Sequence, residues 1–326
     1  MTSLKSLAII LLNYNGSSDT IECIESLDNT ITNFDYDIYI IDNASRKEET
    51  DILKRYISSR EDFSIYSDDI FERNKVKGNL LILSNDNAGF AGGNNKVIRT
   101  IYEDYAYILL LNNDTVVQPD FIEKMICLLN EDLTIGYASC RIDDYYDHTL
   151  LWNCGGKLRP WGLRKYYSEK ELKKMPDIID AEFITGCALF IRSSVIKKYG
   201  TLSDDFFHGE EDFNFCWRMK KNHVKGKCIN KTLVYHKVSA TSNKNGIQPG
   251  KMAGYYAYRI VDMKQFYSVF IWNIWKFSLI QILKIRWIKG GYTRTEIKKM
   301  MDIIRRTSKL NAISREDTLK IWDLSY

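Results

Sequence analysis

The stretch Tyr107-Ile-Leu-Leu-Leu-Asn-Asn-Asp114 passes from a continuous apolar segment directly into a polar turn. Three other segments share this character, and the four apolar runs cover residues 7–12, 38–41, 80–83 and 107–111. Runs of this length are typical of strands that are covered on both faces. Helix-like spacing of apolar residues lies between the runs, at 18–27, 47–57 and 94–105. The alternation predicts an α/β fold built from parallel βαβ units.

Each of the four predicted strands ends in small polar residues. The ends read Asn13-Tyr-Asn-Gly16, Asp42-Asn-Ala-Ser45, the segment from Asn85 to Asn95, and Asn112-Asn-Asp114. Right-handed crossovers bring the carboxyl ends of parallel strands to one edge of the sheet. One such turn forms for purely local reasons, because Asn, Asp, Ser and Gly suit turns. Four of them at one edge predict a binding site.

The glycines of the chain do not match the common nucleotide-binding motifs. No Gly-x-Gly-x-x-Gly follows the first predicted strand, and no Gly-x-x-x-x-Gly-Lys-Ser/Thr occurs. A dinucleotide oxidoreductase and a P-loop NTPase therefore lose their main support. Gly89, Gly92 and Gly93 follow the third predicted strand instead. They either let the backbone approach a ligand closely or simply open a helix.

Asp114 is a candidate metal ligand. It follows a predicted buried strand, and Mg²⁺ prefers a few carboxylates together with phosphate oxygens. Such an arrangement neutralises a diphosphate leaving group. The alternative is that Asp114 caps the helix predicted to begin near Pro119, although several residues separate the two.

Two further segments carry residues suited to catalysis. Three acids in a row, Glu210, Glu211 and Asp212, stand at the start of a helix predicted over 211–221, and neighbouring acids raise one another's pKa, which favours general-base work. Acids at this position also stabilise a helix N-terminus. His236 ends a strand predicted over 228–235, where a lone histidine is more often structural than a ligand. A further strand is predicted over 183–191.

Taken together, these segments resemble the family 2 glycosyltransferases of the GT-A fold, in particular the branch with bacterial rhamnosyltransferases and galactofuranosyltransferases. The resemblance runs from about residue 7 to 239, with the motifs in the family's order. They are Asn13-Tyr-Asn15, Ile41-Asp-Asn-Ala-Ser45, Asn87 to Asn95, Leu111-Asn-Asn-Asp114, Thr185-Gly-Cys-Ala188 with Arg192, Glu211-Asp212 with Trp217-Arg218, and His236 with Ser239. The fold implied is a Rossmann-like, mainly parallel mixed sheet flanked by helices, with a C-terminal helical appendage.

The resemblance also implies residue roles. Asp212 looks like the catalytic base with Glu211 beside it, and Asp114 and His236 look like ligands of a divalent metal, Mg²⁺ or Mn²⁺. The expected acceptor-binding residues are Gly186, Trp217 and Arg218, and the expected donor-binding residues are Asn13, Asn15, Asp42, Asn43, Asn87, Gly89, Gly93, Asn94, Asn112 and Asn113. Two positions depart from the family: Asn112 replaces the first Asp of Asp-x-Asp, and Asn214 replaces a common second acid after Glu-Asp.

The implied activity is an inverting, metal-dependent transfer of a sugar from a dTDP- or UDP-linked donor. The acceptor would be a hydroxyl of a glycan or of a lipid-diphosphate-linked molecule in bacterial cell-surface polysaccharide synthesis. The alternative is a non-catalytic nucleotide-sugar-binding or scaffold protein, with Asn112 as the mark of a decayed site. Retention of Asp114, Asp212 and His236 argues against decay.

The charge of the chain is divided unequally. The whole has 46 Lys and Arg against 42 Asp and Glu, but residues 220–326 hold 22 basic and 6 acidic residues, a net charge of +16. Residues 1–219 have a net charge of −12. A nucleic-acid partner is not expected, because the acidic part would repel the phosphate backbone and no recognition motif occurs. The basic part would meet a different anionic partner.

The expected organisation is a catalytic domain over 1–240, with a nucleotide-sugar half over about 1–115 and an acceptor half over about 116–240. A basic, aromatic-rich helical region over 241–326 would pack on that domain, form a homodimer, or lie on an anionic membrane surface. The run at 7–12 is too short for a signal peptide, and seven cysteines without metal-knuckle spacing favour a reducing compartment. We therefore expect a cytoplasmic protein, peripheral on the inner face of the plasma membrane.

Overall fold

The computed structural model describes residues 4–237 and 248–325. Within them the strands are β1 Lys5–Asn13, β2 Tyr36–Asp42, β3 Phe63–Ser67, β4 Asn79–Leu83, β5 Tyr105–Asn112, β6 Thr115–Val117, β7 Ile135–Asp144, β8 Leu151–Asn153, β9 Gly156–Arg159, β10 Leu163–Tyr166, β11 Ile178–Asp180, β12 Ala188–Arg192 and β13 Lys225–His236. The helices are α1 Ser17–Asp28, α2 Lys47–Ser58, α3 Asp68–Asn74, α4 Gly89–Ile101, α5 Phe121–Glu131, α6 Glu169–Leu172, α7 Ser193–Tyr199, α8 Glu211–Lys221, α9 Pro249–Asp262, α10 Val269–Lys289, α11 Arg294–Thr307 and α12 Arg315–Trp322.

One large sheet crosses the described part of the chain, with strand order β11-β13-β7-β12-β5-β1-β2-β4-β3. The strands from β5 to β3 are all parallel, while β12 runs antiparallel between β5 and β7. Helices cover both faces of this sheet, so residues on both sides of β1 are buried. The α/β fold and the four apolar strands are confirmed, because a strand covered on both faces needs apolar side chains on both.

Some predicted elements differ from those observed. The helix predicted over 94–105 begins earlier, at Gly89, so the glycine-rich segment forms its first turn. The strand predicted over 183–191 is confined to Ala188–Arg192, because the preceding residues turn into a cavity described below. The pair β3 and α3 was not predicted, since β3 has only five residues and is mostly half-buried at the sheet edge.

The register of β12 and β13 positions the site. Ala188 of β12 lies opposite Leu111 of β5, and the N–H of Asn112 donates to the carbonyl of Cys187 at 2.8 Å. The end of β13 pairs with β6, with His236 opposite Thr115. Residues from β12 and β13 thereby reach the edge at which β5 ends.

The C-terminal helices share a hydrophobic core with the sheet. One buried cluster includes Ala8 and Ile10 of β1 together with Trp275 of α10 and Ile304 of α11. The backbone of α9 at Gly250 touches the end of α12, since an added Cβ would lie 2.0 Å from the Trp322 carbonyl oxygen. The region therefore packs on the part of the chain that carries the sheet, which was one of the three expected arrangements. Among the described residues, no helix has the length and apolarity to cross a membrane.

Candidate active site

Two adjoining cavities lie at the carboxyl ends of the parallel strands. The first, of about 430 Å³, is lined by residues that include Asn112, Arg164, Gly186, Glu211, Asp212 and Lys251. The second, of about 420 Å³, is lined by residues that include Tyr14, Asn43, Asn87, Gly89, Asn113 and Arg315. Three side chains, Phe90, His208 and Trp322, line both cavities. The sheet edge predicted from the four polar turns is where both cavities open.

The second cavity has an amide-rich wall. The Asn43 side chain donates to the Asn87 side chain at 2.9 Å and to the Gly89 carbonyl at 3.1 Å, and its own oxygen accepts from the Ala88 N–H at 3.1 Å. Gly89 has a φ of 76° and lies so close to the Phe207 carbonyl that a side chain would not fit. Of the two alternatives for the glycines, Gly89 opens helix α4, and the backbone that it approaches closely is that of Phe207.

A hydrogen-bonded layer lies beneath this wall. Asp42 is buried and accepts from the Asn13 side chain at 2.8 Å and from the Thr50 hydroxyl at 2.7 Å. The oxygen of the Asn15 side chain accepts from the Arg46 N–H, and Asn113 donates to the Thr20 hydroxyl. Of these expected donor-binding residues only Asn113 lines the cavity, while Asn13, Asn15 and Asp42 fix the turns that shape it.

Two other expected donor-binding residues, Gly93 and Asn94, belong to α4 and are buried. A Cβ at Gly93 would lie 2.5 Å from a Leu12 methyl carbon, so glycine here allows α4 to approach β1. Asn94 is buried and donates to the Phe90 carbonyl. Neither residue lines either of the two cavities described above.

Asp114 and His236 meet at the edge where β5 ends. The Nε2 atom of His236 lies 3.0 Å from an Asp114 carboxylate oxygen and 3.5 Å from the Asn112 side-chain nitrogen. The Lys237 N–H donates to the Asp114 carbonyl, which ties the end of β13 to the turn after β5. Ser239, the last residue of the family resemblance, lies outside the described residues.

The side chains of Asp114 and His236 are suited to coordinate a divalent cation. One carboxylate and one imidazole are ligands that Mn²⁺ accepts, and a diphosphate would supply the remaining oxygens. The Nδ1 atom of His236 is buried without a hydrogen-bond partner. No group of three or more His, Cys, Asp or Glu able to hold a metal occurs in residues 4–237 and 248–325. A cation here would therefore depend on ligands from the donor.

The segment before α8 carries the predicted catalytic acids. Glu210 has a φ of 141°, a backbone conformation that side-chain-bearing residues rarely adopt. Glu211 is buried, and burial together with the nearby Asp212 raises its pKa to about 8. Asp212 is partly exposed in the first cavity, where a carboxylate oxygen lies 3.4 Å from the Gly186 N–H. Of the two predicted acids, Asp212 is the accessible one.

Arg164 was not predicted as a site residue. Its guanidinium lies 3.7 Å from the Asp212 carboxylate and packs over the rings of Tyr166, Phe183 and Tyr255 at about 5 Å. The aromatic rings hold this cation beside Asp212 in the first cavity. An arginine in an irregular segment carries no sequence signal of this kind, because the contact depends on the β9–β10 hairpin folding over the pocket.

The tail residues Arg259 and Trp322 were also missed. Arg259 of α9 is buried and forms a two-point ion pair with Glu210, one contact being 3.2 Å, and donates to the Gly162 carbonyl. Trp322 of α12 packs against the His208 ring. Both come from the region expected to be an appendage, and no motif precedes either of them.

Trp217 and Arg218 lie away from both cavities. Trp217 stacks on Phe213 within the core, and Arg218 donates to the carbonyls of Tyr199 and Thr201. Their position gives them a packing role on α8, and Gly186 alone of the three expected acceptor-binding residues lines the first cavity. The position of Asn214 is also explained: it donates to the buried Asp262 of α9, so an acid here would face a second carboxyl group.

Residues 8–199 match the family described as Glycosyl transferase family 2. The chain belongs to this family. The family 2 glycosyltransferase is 25% identical over 233 residues to the low-salt glycan biosynthesis hexosyltransferase Agl10 of Haloferax volcanii. That match covers 70% of this chain and 66% of the length of the relative.

Solved structures show the same fold. GalNAc-T7, crystallised with UDP, GalNAc and Mn²⁺, matches with a TM-score of 0.54 and 14% identity over 80% of this chain and 52% of its own. Residues 1–349 of TarS from S. aureus match with a TM-score of 0.51 and 11% identity, over 98% and 88%. The mannosyltransferase PcManGT of Pyrobaculum calidifontis, in complex with GDP-Man and Mn²⁺, matches with a TM-score of 0.52 and 11% identity. That match covers 99% of this chain and 74% of PcManGT. The family 2 glycosyltransferase thus has the GT-A fold expected of it.

Proposed function

We propose that this glycosyltransferase is an inverting, metal-dependent enzyme that moves a hexosyl or rhamnosyl group from a nucleoside-diphosphate donor to a hydroxyl of a glycan or lipid-linked acceptor. The observation that carries the proposal is the position of Asp212. Its carboxylate lines the same cavity as Asn112, which lies beside the Asp114–His236 pair. A base and a leaving-group site are thereby available to one sugar.

Asp212 is the proposed base. It would take the proton of the acceptor hydroxyl while that oxygen forms a bond to the anomeric carbon, and the bond to the diphosphate breaks on the opposite side of the sugar ring. This single displacement inverts the anomeric centre. Arg164 and the Gly186 N–H fix the orientation of the carboxylate, which supplies the alignment that proton transfer requires.

Asp114 and His236 are the proposed metal ligands. A bound Mg²⁺ or Mn²⁺ would neutralise the charge that develops on the departing diphosphate. Asn112, in place of the first acid, brings an amide to the same edge. The neighbours GalNAc-T7 and PcManGT were crystallised with Mn²⁺, which supports a metal in this family 2 glycosyltransferase as well.

The second cavity is the proposed site of the nucleotide. Asn43, Asn87, Gly89 and Asn113 would contact the donor directly, and Asn13, Asn15 and Asp42 would hold those residues in place. We propose a dTDP- or UDP-linked donor. Gly93 and Asn94 would contribute through the packing of α4.

The acceptor would enter the first cavity from the side of the tail. Arg164 and Lys251 place two cations there, which suits an acceptor that carries a diphosphate. A role in the synthesis of surface polysaccharide, at the inner face of the plasma membrane, is consistent with a glycan-biosynthesis hexosyltransferase among the relatives.

The proposal is tested by incubating the purified chain with dTDP-rhamnose, UDP-galactose, UDP-galactofuranose and UDP-N-acetylglucosamine, with and without Mn²⁺ or Mg²⁺. Metal-dependent release of nucleoside diphosphate from one of these donors supports an enzyme. Tight donor binding without release in any condition would instead identify a nucleotide-sugar-binding protein, for which the Asn112 substitution is the observation in favour.

A further inference from the structure

Helix α10 exposes a long apolar face. Phe270, Ile274, Phe277, Ile285 and Ile288 fall within about 80° of one another at 100° per residue, and all are exposed, Phe270 by 75% and Ile288 by 65%. Ile271 and Ile282 widen this stripe on one side. We call these seven residues the α10 face. It is about 27 Å long at 1.5 Å per residue.

The opposite side of α10 is anchored in the protein. Trp272, Trp275, Leu283 and Trp287 are buried, and the indole N–H groups of Trp272 and Trp275 donate to the carbonyls of Ile260 and Trp161, each at 2.9 Å. The helix therefore cannot rotate to bury the α10 face without breaking these contacts. An apolar surface of this size rarely stays exposed to water in a soluble monomer.

Cations border the α10 face, and acids are absent from its borders. Lys284 lies along one edge and Arg286 along the other, and Lys289 follows the end of the face on the side of Ile271. No Asp or Glu occurs in the sequence from residue 263 to 295. A face that is apolar at the centre and basic at both edges has the charge pattern of a helix that lies in the interface of an anionic membrane.

Two basic clefts lie between α10 and α11: the smaller adjoins the α10 face at Ile288, and the larger lies on the opposite side of α10, at Trp272. One of about 260 Å³ is lined by Lys284, Arg294, Lys298 and Arg305 together with apolar residues, and one of about 470 Å³ by Lys264, Lys276, Arg305 and Lys309 with Trp272. Lys264 and Lys276 both lie over the Trp272 ring, at 5.2 and 3.9 Å. Burial lowers the pKa of both amines, and for Lys264 the charge of Lys276 adds to the effect. Among the groups that line these clefts, Arg305 pairs with Asp302.

We propose that the α10 face lies in the headgroup region of an anionic bilayer, with the smaller cleft around an acidic lipid headgroup. The chemistry of the borders selects this occupant over a second copy of the chain. Two copies joined by a two-fold axis would bring the same basic edges together, and like charges oppose such contact. A bilayer surface brings negative charge to both edges at once.

The surface also adjoins the proposed acceptor cavity. The tip of the β9–β10 hairpin holds Trp161, which is 56% exposed and whose carbonyl accepts from Trp275 of α10. Leu163 of β10 is exposed as well, and the next residue, Arg164, lines the first cavity. If the enzyme has the function proposed above, on which this step rests, one short hairpin leads from the membrane to the acceptor site.

The test is flotation of the full chain with phosphatidylcholine vesicles, with and without phosphatidylglycerol, at low and high salt. Wild type should float with the anionic vesicles at low salt and be released by high salt. The variant Phe270→Ser/Phe277→Ser/Ile288→Ser should lose about tenfold or more of this binding. The matched control Ile31→Ser/Leu133→Ser removes exposed apolar residues elsewhere and should float like wild type.

Three results would overturn the proposal: wild type that ignores anionic vesicles, equal loss in both variants, or a dimer seen by light scattering that the triple substitution dissociates. Nucleotide release from the donor is measured in parallel on the same samples. Flotation without donor turnover would support the membrane proposal and contradict the proposed transferase activity. Turnover without flotation would support the transferase activity and contradict the membrane proposal.

Discussion

Arg259 of α9 and Glu210, the residue directly before the two predicted catalytic acids, form a buried ion pair with two contacts. The Arg259 guanidinium also lies 3.3 Å from the centre of the Phe213 ring on α8. The pair joins α9 to Glu210, whose backbone has an unusual φ of 141°. Helix α9 thereby contacts the segment that carries the two predicted catalytic acids.

The first prediction concerns this pair. Arg259→Met leaves the Glu210 charge buried without a partner, so the free energy of unfolding should fall by about 3–5 kcal/mol. Denaturant unfolding measures the change. Arg305→Met, which removes a partly exposed arginine, should change it by less than about 1 kcal/mol. The double variant Glu210→Gln/Arg259→Met should recover part of the stability, and a failure of Arg259→Met to destabilise would remove the pair from this role.

The second prediction concerns the base. Asp212→Asn should lower the rate of sugar transfer by about 10²–10⁴-fold while leaving nucleotide affinity unchanged, because the amide cannot accept the proton. Single-turnover transfer and calorimetric titration with nucleoside diphosphate measure the two effects. Asp51→Asn, an exposed position on α2, is the matched control. Wild-type transfer by Asp212→Asn would assign the base to another residue.

The third prediction is a pH dependence of stability. The pKa of Glu211 is raised to about 8 from an ordinary value of 4.5, so between these limits the folded chain keeps a proton that the unfolded chain has released. Stability from this group is fully present below pH 4.5 and is lost as the pH rises through 8.

Glu211→Gln stays neutral, so relative to it wild type should lose roughly 2–4 kcal/mol between pH 5 and pH 8. Unfolding curves at several pH values measure the difference. Glu61→Gln, an exposed substitution, should follow wild type throughout. Parallel curves for wild type and Glu211→Gln would show that Glu211 titrates normally.

The fourth prediction concerns the metal. Removing either proposed ligand, in His236→Gln or Asp114→Asn, should raise the Mn²⁺ concentration needed for half-maximal nucleotide release by about tenfold or more. His148→Gln is the control, because this exposed ring stacks on the neighbouring Tyr235 without reaching Asp114. An unchanged Mn²⁺ requirement in both variants would show that other residues bind the cation. Full nucleotide release in the presence of a chelator would show that the reaction needs no cation.

The fifth prediction concerns α12. Trp322→Ala removes an aromatic wall from both cavities and should weaken nucleoside diphosphate binding by about tenfold, or about 1.4 kcal/mol. Trp322→Phe should restore most of this affinity. Calorimetry gives the affinity, and a melting curve separates it from loss of fold. Equal affinity in the alanine variant would place the nucleotide away from α12.

The parallel strands β1, β2, β4 and β5 could be predicted because they are covered on both faces and each ends in a polar turn, whereas the half-buried edge strand β3 could not. The family resemblance implied that Asp114 and His236 bind one metal, and the two side chains do meet although 122 residues separate them. The C-terminal contribution could not be predicted. Arg259 and Trp322 act through tertiary packing onto residues before position 220, and an arginine or tryptophan on a helix has the same local pattern whether it packs there or faces solvent.

Some polar residues at the strand ends line a cavity and others support the turns, and the amino-acid type does not reveal which. Asp42 and Asn43 are adjacent in sequence. Asp42 accepts hydrogen bonds from Asn13 and Thr50, whereas Asn43 lines a cavity. Successive residues after a strand point in different directions. A motif therefore identifies the turn, but only the structure shows which of its residues line the cavity and which hold the turn in place.

Phe90, His208 and Trp322 form a wall common to both cavities. A ligand that moves any of these side chains in one cavity changes the surface that the other cavity presents. The affinities of the two cavities for their ligands are then linked, and such linkage is reciprocal. If the two cavities hold donor and acceptor as proposed, the factor by which bound donor changes acceptor affinity must equal the factor by which bound acceptor changes donor affinity.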